Sequence, residues 1–186
     1  MTSHEYMKKH GQDANSEYHK LLKSIERDND PGRNTVLIVD DERAIRRKVA
    51  RDIQTNDPEV VVFEAGNGQE GLEKLNEIRT KHERNPLFIV LDLNMPMMNG
   101  WQFIEQLRKE YEADGKHQGI PIIVLSSTSG ETGVPIFKKS VHGDKAHYSP
   151  IITVAKEACI NSRKYDATGE KGLVAWINYF LKAGGQ

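Results

Sequence analysis

The chain has 186 residues, 28% of them charged and 37% hydrophobic, with a formal net charge of −1. This is the composition of a soluble globular protein, without the global field that would draw it to nucleic acid or an anionic membrane. No apolar run approaches a membrane span, the start "MTSHEYMKKHGQDANSEYHK" is too polar for a signal peptide, and the one cysteine, Cys159, excludes an internal disulfide framework; the expected setting is a reducing cytoplasm.

Residues 1–34 read as an N-terminal extension. Tyr18, Leu21, Leu22 and Ile25 fall on one face of a short helix, and "RDNDPGRN" reads as a linker. Such a helix packs on the domain, frays, or binds a partner, a second copy in a homodimer included. From residue 35 to 186 the pattern alternates. "TVLIVD" (35–40) is a continuous apolar run, as expected of a strand covered on both faces. Ile45, Val49 and Ile53 mark a helix, and "EVVVFEA" (59–65) a second strand. Leu72, Leu75 and Ile78 mark the next helix, and "LFIVLD" (87–92) the third strand. Phe103, Ile104, Leu107 and Tyr111 then give a helix, "IPIIVLSS" (120–127) a fourth strand, and Leu173, Val174, Ile177, Phe180 and Leu181 a last helix.

Between them, 130–150 reads as an insertion, basic and aromatic in Phe137, Lys138, Lys139, His142, Lys145, His147 and Tyr148. It is expected to be a surface loop, a partner surface or a lid. Ser149-Pro150 looks like the N-cap and first position of a helix over "IITVAKEA", with a short fifth strand near "ACINSRK". Repeated βα units with unbroken apolar strands predict an α/β fold: a doubly wound, five-stranded parallel sheet with helices on both faces.

In such sheets ligands sit beyond the carboxyl ends of the strands. Asp40-Asp41 end the first strand, Asp92 the third and Ser126-Ser127 the fourth, and Lys164 follows the expected fifth. Carboxylates brought together raise one another's pKa, and a hard divalent cation such as Mg²⁺ relieves this. A hydroxyl and an ammonium beside it suit an anion, and the set suits phosphoryl transfer with an aspartate as covalent acceptor. Singly, Asp92 reads as a turn former and Asp40-Asp41 as an N-cap for "ERAIRRKV".

Together, "VLIVDDERAIRRKV", "IVLDLNMPMMNGWQF" and "IPIIVLSS" resemble the receiver domains of two-component response regulators, in particular the single-domain chemotaxis type. The resemblance covers 35–184 apart from a stretch around 130–150. It implies a flavodoxin-like strand order, 2-1-3-4-5. It also implies that Asp92 takes phosphate from a sensor histidine kinase, that Asp41 ligates Mg²⁺ directly and Asp40 through water, and that Asn94 gives the metal its backbone carbonyl. Ser126 matches the hydroxyl that swings toward the phosphoryl group, and Lys164 the phosphate-pairing lysine, although the family's Lys-Pro is Lys164-Tyr165 here. The side chains of Asn94 and Thr128 would flank the attacking water during dephosphorylation. The family often has an aromatic three residues before the lysine; that position is Asn161, so either the correspondence shifts here or the hydroxyl lacks its aromatic counterpart.

Other chemistries fit less well. A haloacid-dehalogenase-type phosphatase needs a second aspartate two residues on, where Asn94 stands, and "GVPIFKKS" has Lys138 in place of the second glycine of a P-loop. A flavin binder would not place "DDERA" against phosphate, and His142 and His147 read as surface residues. With no output domain expected after the last helix, the chain reads as a stand-alone receiver, with no enzymatic activity beyond its own phosphorylation and autodephosphorylation. It would signal to a downstream protein target. The alternatives are a phosphorelay shuttle to a histidine phosphotransfer protein and a metal-free pseudo-receiver.

Overall fold

The computed structural model describes residues 35–116, 119–126, 148, 151–156 and 173–184. The extension over 1–34, most of the 130–150 stretch, Thr128, Asn161 and Lys164 lie outside these residues. Strands β1 (Thr35–Val39), β2 (Val61–Ala65), β3 (Ile89–Asp92), β4 (Ile122–Ser126) and β5 (Ile151–Ala155) form one sheet in the order β2-β1-β3-β4-β5. Every neighbouring pair is parallel, so the doubly wound, flavodoxin-like architecture expected from the sequence is the one found. The described helices are α1 (Arg43–Asn56), α2 (Gly68–His82), α3 (Gly100–Ala113) and α4 (Leu173–Gly184).

The central strands β1 and β3 are buried along their length because both faces are covered, whereas the edge strand β2 leaves Val61 and Glu64 exposed. Val36, Ile38 and Val90 pack with Ile45, Val49 and Ile53 of α1 and Trp176, Ile177 and Phe180 of α4. The intervening Leu37, Val39 and Leu91 pack with Leu75 and Ile78 of α2 and Phe103, Ile104 and Leu107 of α3. Successive residues of one strand thus serve two cores, as the pleat requires. At roughly 1.5–3 kcal/mol per buried aliphatic side chain, these two cores dominate the stability of the fold. Helix starts are set locally. Asn67 caps α2 by accepting from the Glu70 amide at 3.0 Å, and Asn99 and Gln102 form a reciprocal capping box on α3.

One expected helix is a strand. "IITVA", read from Ser149-Pro150 as the opening of a helix, is strand β5, paired in register with β4 from Ile122↔Ile151 to Ser126↔Ala155. Ile151, Ile152, Thr153 and Val154 are β-branched and favour the pleat, and a proline just before a strand is tolerated. Tyr148, counted with the exposed insertion, is buried instead. Its hydroxyl donates to the Ile120 carbonyl at 2.9 Å, and its ring meets that of Tyr111 edge-on, 5.9 Å between centroids. It anchors the chain as it re-enters the sheet.

Candidate functional site

The carboxyl ends of β1, β3 and β5 converge. Asp40 follows β1, Asp92 ends β3, and carboxylate oxygens of Asp40, Asp41 and Asp92 lie within 4.8 Å of one another. Asp40 is fully buried and Asp92 is 2% exposed, whereas Asp41 is open to solvent. The ammonium among them belongs to Lys156, the residue directly after β5. Its Nζ lies 3.0 Å from Asp92 Oδ2, 3.2 Å from Asp40 Oδ2 and 2.7 Å from Glu42 Oε1. Lys164, the lysine chosen from the sequence, lies outside the described residues.

Local backbone geometry completes the cluster. The Glu42 amide donates to Asp40 Oδ1 at 2.8 Å, and the Asn94 amide to Asp92 Oδ1 at 3.2 Å. Glu42, not Asp40 or Asp41, is the N-cap residue of α1, and it makes no side-chain cap hydrogen bond; its carboxylate goes to Lys156. Asn94 is exposed. Ser126 ends β4, one residue after Leu125, which pairs with Asp92. Beyond Asp92 the chain turns sharply into α3. The Gly100 amide donates to the Leu93 carbonyl at 3.1 Å, and a Cβ at Gly100 would meet the backbone oxygen of Asp92 and come within 2.8 Å of Leu93 Cα. Only glycine fits there. Met97, at the tip of this turn, is 81% exposed and left-handed at φ 66.

Burial pushes the Asp40 carboxyl up to about 6; the Glu42 amide and the Lys156 charge pull it down, and the Asp92 charge adds to the rise. Burial works against the Lys156 ammonium, yet hydrogen bonds to Glu42 and Asp92 and the charges of Asp40 and Asp92 hold its pKa above the ordinary lysine value. One cation therefore faces three acidic side chains. Asp40 Oδ2 is buried and, apart from the ion pair with Lys156 at 3.2 Å, has no hydrogen bond among the described residues, so it keeps acceptor capacity. The residual negative charge, the hard oxygen donors and that acceptor fit a small divalent cation.

The family model for the response regulator receiver domain matches residues 36–141. The chain belongs to this family. Receiver domains act as phosphoacceptors in signalling, and the acidic cluster lies where their metal pocket is found. Among similar proteins, protein-glutamate methylesterase/protein-glutamine glutaminase 2 of Carboxydothermus hydrogenoformans is 38% identical over 104 residues, 55% of this chain and 25% of that protein. The transcriptional regulatory protein YdfI of Bacillus subtilis is 34% identical over 94 residues, 50% of this chain and 38% of that one. The match thus spans well under half the length of either relative. In fold, the chain is similar to the Francisella response regulator 1452 receiver domain, with a TM-score of 0.53 at 21% identity, covering 80% of this chain and 97% of that one. No helix among the described residues is long and apolar enough to cross a membrane.

Sequence reasoning missed Lys156 and Glu42. The signal for Lys156 was present: a largely apolar run ending in an ionic residue, the same pattern as "TVLIVD" and "LFIVLD".

Proposed function

We propose that this receiver domain accepts a phosphoryl group on Asp92 from a sensor histidine kinase, and that a protein partner reads the altered surface. The observation that carries this is the meeting of Asp40, Asp41 and Asp92 with Lys156 at the ends of β1, β3 and β5. In the proposed step a carboxylate oxygen of Asp92 attacks phosphorus, the phosphorus–nitrogen bond of the phosphohistidine breaks, and its electron pair leaves with the imidazole, which takes up a proton. Lys156, already 3.0 Å from Asp92, pairs with the incoming phosphoryl oxygens. Ser126 is proposed to close on the same group. Asp41, Asp92 and the Asn94 carbonyl would hold Mg²⁺, with Asp40 acting through water; the bound ion supplies charge neutralisation for the transferring group.

Lys156 takes the role first given to Lys164, and the position three residues before it is Thr153, half-buried on β5. No aromatic rotates there, so the output of this domain rests on the Ser126 hydroxyl and the β4–β5 edge. Stand-alone action in the cytoplasm, without esterase activity, belongs to the same proposal, as does the alternative of a relay to a histidine phosphotransfer protein. Incubation with acetyl phosphate and Mg²⁺ should add one phosphoryl mass. Asp92→Asn or a chelator should abolish the addition, and undiminished labelling of Asp92→Asn refutes the assignment. A phosphorylation-dependent pull-down with no onward transfer of label favours the stand-alone role; rapid transfer to a histidine protein favours the relay.

A further inference from the structure

Arg46, on the first turn of α1, reaches back over the acidic loop without touching a carboxylate of the pocket. Its Nη1 donates to the backbone carbonyl of Asp40 at 2.7 Å and to that of Asp41 at 3.4 Å. Its Nε donates to Glu64 Oε2 on β2 at 3.1 Å. The Asp40 amide is held in turn by the Ala65 carbonyl at 3.1 Å. The loop that carries two of the three clustered carboxylates is therefore pinned to β2 and α1 through its main chain.

This matters most for Asp41. Asp40 is fixed by its side chain, through the Glu42 amide and Lys156. Among the described residues no hydrogen bond holds the Asp41 carboxylate, yet it stays within 4.8 Å of two other carboxylates that repel it. Its position comes from the backbone. An arginine laid on the carboxylates themselves would neutralise them and occupy the place of a cation. Laid on the carbonyls, with its own charge balanced by Glu64, it restrains the loop and leaves the Asp41 carboxylate unoccupied by a cationic side chain among the described residues.

We propose that Arg46 is a positioning residue that grips the Asp40 and Asp41 carbonyls and so keeps the Asp41 carboxylate at the distance a divalent cation requires. This rests on the cation reading of the site. Two measurements on the full chain test it, with Arg46→Met and Arg46→Lys; the second keeps a charge but cannot span two carbonyls and Glu64. In metal-free buffer, amide exchange at Asp40 and Glu42 should quicken about tenfold in both variants, with Leu107 in α3 unchanged, since charge-assisted hydrogen bonds of this kind are strong. The Mg²⁺ dissociation constant should rise about tenfold in Arg46→Met and by roughly threefold or more in Arg46→Lys. Exchange at Asp40 and Glu42 like the parent's, or Mg²⁺ affinity within about twofold of it, in either folded variant overturns the proposal. A parent chain that binds no Mg²⁺ overturns the cation reading instead, and is told apart because exchange still reports on the grip.

Discussion

Asp40→Asn should stabilise the metal-free protein above neutral pH while weakening Mg²⁺ binding. Asp40 is fully buried, and its carboxyl titrates at about 6 when folded against 3.8 in the unfolded chain. At about 1.36 kcal/mol per pH unit, that gap makes the ionised carboxylate oppose folding by about 3 kcal/mol near pH 8. Because the folded value is the higher one, the metal-free parent is most stable below about pH 4 in this respect and loses that contribution as pH rises through about 6. Lys156, held above its ordinary value, stays charged across this window and does not tilt it. The asparagine gives up some attraction to Lys156 but keeps an acceptor for the Glu42 amide, so the gain expected near pH 8 is about 1–3 kcal/mol, shrinking to under about 1 kcal/mol near pH 4. Urea unfolding in chelator at both pH values measures it. Parallel stability–pH curves for parent and variant would refute the reasoning, since they would mean that Asp40 does not carry the titration.

Met97→Gly should raise stability by about 0.5–1 kcal/mol in the same unfolding assay, because a left-handed methionine is strained and 81% exposure leaves little packing to lose; a loss of stability would show that the side chain holds the turn. Gly100→Ala should cost at least about 2 kcal/mol and reduce acetyl-phosphate labelling, since its Cβ would press on the main chain of Asp92 and Leu93. Parent-like melting of that variant would mean that the turn yields readily.

The sheet was legible in the sequence where one signal dominated. "TVLIVD", "LFIVLD" and "IPIIVLSS" are apolar on both faces and end in polar groups, and the helix faces at Ile45, Val49 and Ile53 and at Phe103, Ile104 and Leu107 are buried as their spacing predicts. The acidic cluster followed from those strand ends. β5 was not legible because two local signals compete: Ser149-Pro150 announces a helix, and the β-branched run after it prefers a strand. The sheet settles the matter by offering the open edge of β4, a tertiary contribution that no short window contains. Expecting the strand later in the chain drew attention to Lys164, whereas the residue that follows β5 and meets the acidic cluster is Lys156. Glu42 escaped notice for another reason. Its role depends on reach across the loop, to Lys156, which spacing along a helix does not reveal.

The ionic strand ends also set the alignment of the sheet. β1 and β3 are apolar on both sides, so the inside–outside alternation that fixes register in a half-exposed sheet is missing. Val39 pairs with Leu91, and Asp92 with Leu125, which brings Asp40 and Asp92 to the same level at one rim. If β1 slid inward by one residue, Asp40 would lie among apolar neighbours, away from the Lys156 ammonium and the Glu42 amide, and stranding a carboxylate in this way costs several kcal/mol. Sliding the other way would push Val39 into the polar rim. The aspartates that make the pocket acidic therefore act as stops for strands whose hydrophobic residues would tolerate more than one offset.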